Sequence, residues 1–445
     1  MSQIVTRFAP SPTGLLHAGN YRTAVYAYLF ARKNKGKFIL RIEDTDRARS
    51  KQEYEDNIRE ALSWLTLEND ATYRQSENAP HHETLLRELV ESGKAYVSKE
   101  EPKEPGGRTE VVRFKNPNRI VTFTDAVRGD IGVDTTDLGE FIIARSFTEP
   151  VFHFAVVADD AEEGVTHIIR GEDHISNTPR QILIREALGF AAPTYAHLPL
   201  VLGSDRTKLS KRKGAKAITE YRDLGFLPGA VLNYLALVGW NEGTDKEIYD
   251  KDELVSVFSL EKIQKSPGIF DETKLRWINK QHLRLLPESV IDAEIVARGA
   301  NYPKTLEIFK KGAARSDLLE RIETFGDIDA MLSSGEFDFY ERAPVPVASS
   351  LLWKKDPSVE NTKAHITSVI ETWETIPHES FTSESVKLAI WDYAEAKGRG
   401  AVLWPVRYAL SGRDRSPDPF TLAEALGKEE TLKRLAAAIT ILSAA

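Results

Sequence analysis

The sequence predicts an α/β fold in which a parallel-sheet domain is interrupted by a smaller α/β insertion and followed by wholly helical domains, and three observations predict it. Two apolar stretches that read as buried strands each run through a turn containing Gly or Pro into a helical pattern, one near residue 8 and one near residue 170. Between them, from about 95 to 160, apolar residues fall in short alternating segments. After Pro228 the alternation stops and helical spacing continues to the end of the chain.

The elements are read in chain order. Residues 3–8, Gln-Ile-Val-Thr-Arg-Phe, read as a buried strand that Pro10, Pro12 and Gly14 end sharply. From Ala18 to Asn34 the residues Val25, Tyr28 and Leu29 recur at helical spacing, Gly36 suits the C-terminal cap, and Lys37 to Ile42 reads as the next strand. That makes one βαβ unit, and with it a Rossmann-like sheet is expected. Val165 to Ile169 begins the second half, with a polar turn at 170–174, a helix from Thr178 to Leu188 and a strand from His197 to Leu202. The insertion carries Val111 to Phe114 and Ile120 to Phe123, with Gly129 and Gly132 near by. Helix returns at Gly229 to Val238, and Pro344, Pro346, Pro357 and Pro377 punctuate the C-terminal half. The expected domains are therefore 1–95 with 160–225 (parallel sheet), 96–159 (insertion), 226–335 and 336–445 (both helical).

Composition narrows the class. The chain has 445 residues, 41% hydrophobic and 28% charged, enough for several packed cores. No apolar run approaches the ~18 residues of a membrane span, and the start MSQIVTRFAP lacks the basic and apolar regions of a signal peptide, so a cytoplasmic protein with no membrane association is expected. Cys is absent, which removes disulfides, thiol nucleophiles and thiolate metal sites. With ten His, no zinc is expected, and any metal would arrive with a nucleotide. The net charge of −8 hides local basic stretches: six basic residues and no acid from Arg206 to Lys216, and five against Asp414 from Lys397 to Arg415. Taken alone, each reads equally as a solvated face or as a phosphate contact. No long heptad run stands out, so a monomer is expected.

Two segments carry candidate chemistry. In Arg7-Phe8-Ala9-Pro10-Ser11-Pro12-Thr13-Gly14-Leu15-Leu16-His17-Ala18-Gly19-Asn20, a strand breaks and opens a helix, which directs helix N–H groups at a ligand above the sheet. His17 and Asn20 can donate hydrogen bonds there, and Gly19 lets a nucleotide approach the backbone. A capped strand-to-helix connection without ligand is the alternative. In Lys208-Leu209-Ser210-Lys211-Arg212, cations on a loop suit a triphosphate, whose oxygens gain charge during displacement.

Residues 17–20, His-Ala-Gly-Asn, resemble the HIGH motif of class I aminoacyl-tRNA synthetases, and residues 208–212 resemble the KMSKS motif. Arg7 to Gly14, Leu40 to Asp46, Ile169 to His174, residues 225–240 and residues 404–417 are similar to the corresponding segments of bacterial glutamyl-tRNA synthetases. The resemblance implies ATP-dependent activation of L-glutamate to glutamyl-adenylate and transfer to the 3′-terminal adenosine of tRNA(Glu), with Mg²⁺ accompanying ATP. It implies His17, Lys208 and Lys211 as catalytic residues, with Gly19, Asn20, Lys208, Ser210 and Lys211 on ATP. Arg7, Ala9, Ser11, Glu43, Phe152 and Arg170 are implied for glutamate: Arg7 for the side-chain carboxylate, Glu43 for the α-amino group and Arg170 for the α-carboxylate. A structural ion pair is the alternative for each of those three. Trp404, Arg407 and Arg413 are implied for tRNA, the insertion for its acceptor end, 226–335 for its stem and 336–445 for its anticodon.

The chain departs from the family twice. Phe152 stands where relatives carry a tyrosine that helps bind glutamate. The insertion runs directly from Tyr96 through Pro102, Pro105, Gly106 and Gly107 to Arg108, without the cysteine zinc site of many bacterial relatives. Two enzymatic rivals are a glutaminyl-tRNA synthetase and a truncated paralogue that lacks the helical half; a catalytically silent tRNA-binding protein on the same scaffold is the rival of another class. Arg7 argues against the first, length against the second, and the intact His17, Gly19, Lys208 and Lys211 against the third.

Overall fold

The computed structural model describes residues 3–101, 109–209, 215–310 and 312–444, which form two compact units, 1–282 and 283–445. In the first unit, β1 (Val5–Phe8), α1 (Ala18–Lys33), β2 (Lys37–Ile42), α2 (Gln52–Trp64), β3 (Ala71–Arg74), α3 (Ala79–Glu91) and β4 (Ala95–Lys99) succeed one another. Then come β5 (Glu110–Phe114), β6 (Ile120–Asp125), β7 (Gly129–Asp134), β8 (Ile142–Ser146), β9 (Glu149–Pro150) and α4 (Phe152–Glu162). The second half has β10 (His167–Gly171), α5 (Thr178–Ala187), β11 (Thr194–Leu198), β12 (Val201–Leu202), α6 (Ile218–Asp223), α7 (Pro228–Leu237), α8 (Lys251–Val257), β13 (Gly268–Ile269) and α9 (Glu272–Arg284).

The main sheet has the order β3-β2-β1-β10-β11-β6-β7, all neighbours parallel except the β6–β7 hairpin. Parallel strands covered on both faces need nearly continuous apolar sequence, which β2 supplies in Lys-Phe-Ile-Leu-Arg-Ile with only its first residue exposed. The winding direction reverses between β1 and β10, and open sheets of this kind bind ligands beyond the carboxyl ends of their strands at such a reversal. A second sheet, antiparallel in the order β4-β5-β8-β9, lies within the expected insertion. The hairpin at 120–134 instead extends the main sheet, so the insertion supplies strands to both.

Three local differences have clear causes. The expected strand from His197 to Leu202 is two strands, because Pro199 interrupts it without an N–H to offer the ladder. Gly36 is not the helix cap, which is Asn34; a Cβ on Gly36 would lie 2.3 Å from the carbonyl oxygen of Ile4, so only glycine fits beside β1. Residues 226–282 belong to the first unit, since Val231, Leu232, Tyr234 and Leu235 of α7 share one core with Tyr21, Val25, Tyr26 and Leu29 of α1.

The second unit is helical: α10 (Glu288–Gly299), α11 (Pro303–Phe309), α12 (Gly312–Arg321), α13 (Gly326–Ser333), α14 (Asp338–Glu341), α15 (Ala348–Leu351), α16 (Val359–Glu374), α17 (Ser383–Lys397), α18 (Arg399–Ser411) and α19 (Pro419–Ala444). Helices α16, α17 and α18 pack on α19 around buried Ile366, Trp373, Ile390, Val402 and Leu435. No described helix is long and apolar enough to cross a membrane.

Candidate active site

Strand β1 ends in a buried charge network. Arg7 donates from Nε to Asp160 Oδ1 at 3.0 Å and from Nη2 to Asp160 Oδ2 at 3.4 Å. Arg41, fully buried on β2, donates from Nη1 to the same Asp160 Oδ1 at 2.8 Å and to Glu163 Oε2 at 2.7 Å, and from Nη2 to Glu43 Oε1 at 3.2 Å. Two guanidinium groups thus face three carboxylates away from water, and the carboxylates respond differently. Burial alone would raise Asp160, but Arg7 and Arg41 outweigh it and hold the group below its usual range. Burial lifts Glu163 to about 7, with Arg41 opposing and the charges of Asp160 and Asp159 adding to it. Burial also raises Glu43 against the pull of Arg41 and Arg7. The Arg7–Asp160 pair uses Nε and Nη2 of the guanidinium, which keeps the Nη1 donors for another acceptor.

On the other side of the sheet reversal, Arg170 is the penultimate residue of β10. It is buried, its Nε donates to His197 Nε2 at 3.1 Å and its Nη2 to Thr178 Oγ1 at 2.8 Å. Among the described residues no carboxylate stands within ion-pair distance of it, and burial, with Arg7 adding to it, pushes its pKa down to about 10. A buried cation with no carboxylate beside it among the described residues is suited to an anion. The same burial and the charge of Arg170 push neighbouring His174 down to about 4, so that ring is neutral at pH 7.

The helix after β1 begins with a reciprocal cap. His17 Nδ1 accepts the backbone N–H of Gly19 at 3.1 Å, and Asn20 Oδ1 accepts the backbone N–H of His17 at 3.1 Å. With Nδ1 an acceptor, the neutral imidazole carries its proton on Nε2. A Cβ on Gly19 would sit 3.0 Å from His17 Cε1 and 3.1 Å from Nδ1, so glycine here keeps the imidazole in place. Arg22, buried one turn on, donates to the carbonyls of Val238 and Pro199 and ties α1 to the second half.

These groups line one cavity of about 430 Å³, which includes Arg7, Ala9, Ser11, His17, Gly19, Asn20, Glu43, Phe152, Arg170 and Lys208. Apolar Phe8, Leu16, Phe152, Val156 and Ile169 complete the wall. Lys208 is exposed and donates to Asp173 Oδ2 at 3.2 Å. Ser210 and Lys211 lie outside the described residues, but the chain on either side is anchored at the site: Leu209 N–H donates to Val201, and Ala217 pairs with His17 as an isolated bridge. Among the described residues no group of three or more His, Asp or Glu could hold a metal ion. The acids in the cavity lining are Glu43, engaged by Arg41, and Asp173, engaged by Lys208.

Trp404, Arg407 and Arg413 lie in the second unit. Trp404 Nε1 donates to the Ser350 carbonyl at 2.9 Å, the Arg407 guanidinium lies 4.9 Å from the Trp404 ring centroid, and Arg407 Nη2 donates to the Asp414 carbonyl at 2.8 Å. Arg413 donates to the Gly335 carbonyl. The Arg407 guanidinium lies over the indole and both are partly exposed, a surface suited to an unpaired base, whereas Arg413 braces the fold.

Sequence reasoning missed Arg41, Asp160, Glu163, Asp125 and His197. A signal existed for some of them. Arg41 interrupts an otherwise apolar buried strand, and Asp159-Asp160 interrupts an apolar helix; charges in such places require partners. Which partner each finds depends on strand order, which no local pattern reveals.

Known proteins are similar to this chain in sequence and in architecture. A family model described as the catalytic domain of class I tRNA synthetases (E and Q) matches residues 3–105 and 101–277, and one described as an anticodon binding domain matches 301–439. A glutamate–tRNA ligase of a Sulfurihydrogenibium species is 38% identical over 96% of this chain and 98% of its own length. That of Geotalea uraniireducens is 38% identical over 99% of each. A crystal structure of a glutamate tRNA ligase from Elizabethkingia meningosepticum in complex with its amino acid has a TM-score of 0.86 and 32% identity, covering 99% of this chain and 100% of that one.

Proposed function

The chain belongs to the class I tRNA synthetases for glutamate and glutamine and is a glutamate–tRNA ligase, and from that premise we propose how its own residues divide the reaction. Arg170 receives the α-carboxylate of glutamate, Arg7 the side-chain carboxylate through Nη1, and Glu43 the α-amino group, with Ala9, Ser11 and Phe152 shaping the pocket. An arginine facing the side chain favours glutamate over glutamine, whose amide would set donor against donor. ATP lies against the start of α1 with Gly19 and Asn20, and its phosphates meet Lys208, Ser210 and Lys211.

In the first step a glutamate α-carboxylate oxygen attacks the α-phosphorus of ATP in line; that P–O bond forms as the bond to the bridging oxygen of pyrophosphate breaks. His17, through Nε2–H, and the lysines stabilise the charge that develops on the phosphate oxygens. Mg²⁺ typically binds through phosphates and one or two carboxylates, so it would be held mainly by the triphosphate, with Asp173 the exposed carboxylate of the cavity; when bound it supplies charge neutralisation on the leaving pyrophosphate. In the second step the terminal adenosine hydroxyl, the 2′-OH in class I, attacks the carbonyl carbon of the mixed anhydride and AMP departs. The small antiparallel sheet contacts the acceptor end, and Trp404, Arg407 and Arg413 contact the anticodon end. A cytoplasmic monomer completes this reading.

The observation that supports it most is that a buried arginine with no carboxylate partner among the described residues shares a single cavity with His17 and Lys208. The test is aminoacylation of tRNA(Glu) and tRNA(Gln), separately, with labelled glutamate and labelled glutamine. Glutamate incorporation into tRNA(Glu) is expected; incorporation of glutamine in place of glutamate would overturn the assignment of Arg7.

A further inference from the structure

Arg170 owes its orientation to a hydrogen-bonded chain that begins on the hairpin of the insertion. Asp125, at the end of β6, accepts the backbone N–H groups of Val127 and Arg128 on Oδ1, both at 2.9 Å. Its Oδ2 accepts the backbone N–H of His197 at 3.0 Å and lies 2.6 Å from His197 Nδ1. An ionised carboxylate has no proton to give, so Nδ1 carries the hydrogen and Nε2 is left as an acceptor. Arg170 Nε–H reaches that acceptor at 3.1 Å, and the Thr178 hydroxyl oxygen also lies 3.1 Å from it. The strands impose the alignment, because Arg170 and His197 are register partners across β10 and β11, and Tyr195 pairs with Asp125 across β11 and β6. All three side chains are buried.

We propose that Asp125 and His197 are positioning residues of this enzyme: by fixing His197 as the Nδ1–H tautomer they hold the Arg170 guanidinium in the plane in which its remaining N–H groups meet the α-carboxylate of glutamate. The inference rests on the reading that Arg170 binds glutamate. Thr178 takes part by accepting from Nη2 at 2.8 Å while its hydroxyl also lies 3.0 Å from the His174 carbonyl, which completes the cradle on the α5 side. The insertion thereby does more than contact tRNA, since one of its strands sets the geometry of amino-acid recognition.

Substituting Asp125→Asn tests the tautomer. The Asn oxygen takes the place of Oδ1, which the N–H groups of Val127, Arg128 and His197 all reach, its NH₂ turns to His197 Nδ1, and the imidazole is driven to carry its proton on Nε2, where it opposes Arg170 Nε–H and turns to Thr178 Oγ1 instead. In steady-state aminoacylation of tRNA(Glu), D125N is expected to raise the KM for glutamate by roughly tenfold or more, with the KM for ATP changed less than about twofold. His197→Gln presents a carboxamide oxygen at the position of Nε2 and cannot change tautomer. It is expected to keep the glutamate KM within about threefold of wild type, whereas His197→Leu raises it like D125N. In the H197Q background, D125N should add little, a coupling that general loosening of the fold does not produce.

An equal rise from D125N in both backgrounds, or an unchanged glutamate KM in D125N, overturns the proposal. If circular dichroism finds D125N unfolded, the comparison of H197Q with H197L decides, and equal defects in those two overturn it. Arg170→Ala is the control for the underlying reading: an unchanged glutamate KM there removes Arg170 from the glutamate site whatever the other variants do.

Discussion

At the scale of single residues, the binding pocket is specified by where polar hydrogens are present and where they are missing. Phe152, the first residue of α4, places an apolar ring against the cavity with His174 5.6 Å away between ring centres. A hydroxyl in that place would add one hydrogen bond toward a charged ligand, worth about 1.5 to 3 kcal/mol. Phe152→Tyr is therefore expected to lower the KM for glutamate by roughly tenfold, measured by initial rates at saturating ATP and tRNA. An unchanged or higher KM would mean that this ring does not face the amino acid. His17 and Lys208 were readable as candidates because each lies in a short segment of unusual composition beside a strand end, whereas Arg7 and Glu43 were candidates only through the resemblance to glutamyl-tRNA synthetases. Asp125 and His197 were not, since a lone aspartate after a strand and a histidine within one look like ordinary core residues until the strands are paired.

At the scale of elements, β1, β2 and α4 are joined by a cluster in which one carboxylate is forced to titrate near neutrality. Glu163 is lifted from the ordinary 4.5 to about 7, chiefly by burial, with the charges of Asp160 and Asp159 adding to it and Arg41 opposing. A carboxyl whose pKa is higher in the folded chain than in the unfolded one stabilises the fold fully below 4.5, and that contribution is lost as pH rises through about 7. His153 and His174 act in the opposite sense, because both are pushed down from 6.5 to about 4, and the stability they confer is present above 6.5 and lost as pH falls toward 4. The wild type alone cannot separate these slopes, but a difference can. Glu163→Gln is expected to lose less Tm than wild type between pH 4.5 and 7 in scanning calorimetry; parallel curves for the two proteins would show that Glu163 ionises normally. Element identity was legible wherever one periodicity dominated, as in β2 and α1. It failed where a single residue cut a run, as Pro199 does, and where pairing partners lie far apart in sequence, as in the hairpin that crosses from the insertion into the main sheet.

At the scale of the whole molecule, the helical character of the second unit was legible in the spacing of its apolar residues. Helix α7 is apolar on nearly every side, which marks it as buried without saying against what, and only the fold reveals that it completes the core around α1, so that the first unit continues to residue 282. The second unit carries Trp404 with Arg407 over its ring, and the first carries the cavity. If the residues divide the reaction as proposed, this cavity, whose lining includes both Arg170 and His17, accepts the amino-acid and nucleotide parts of one intermediate together. Calorimetric titration of a non-hydrolysable glutamyl-adenylate analogue into wild type, Arg170→Ala and His17→Ala decides the matter. One molecule bound per chain is expected, with an affinity weakened by roughly tenfold or more in each variant; binding as tight as wild type in either one would contradict the shared cavity.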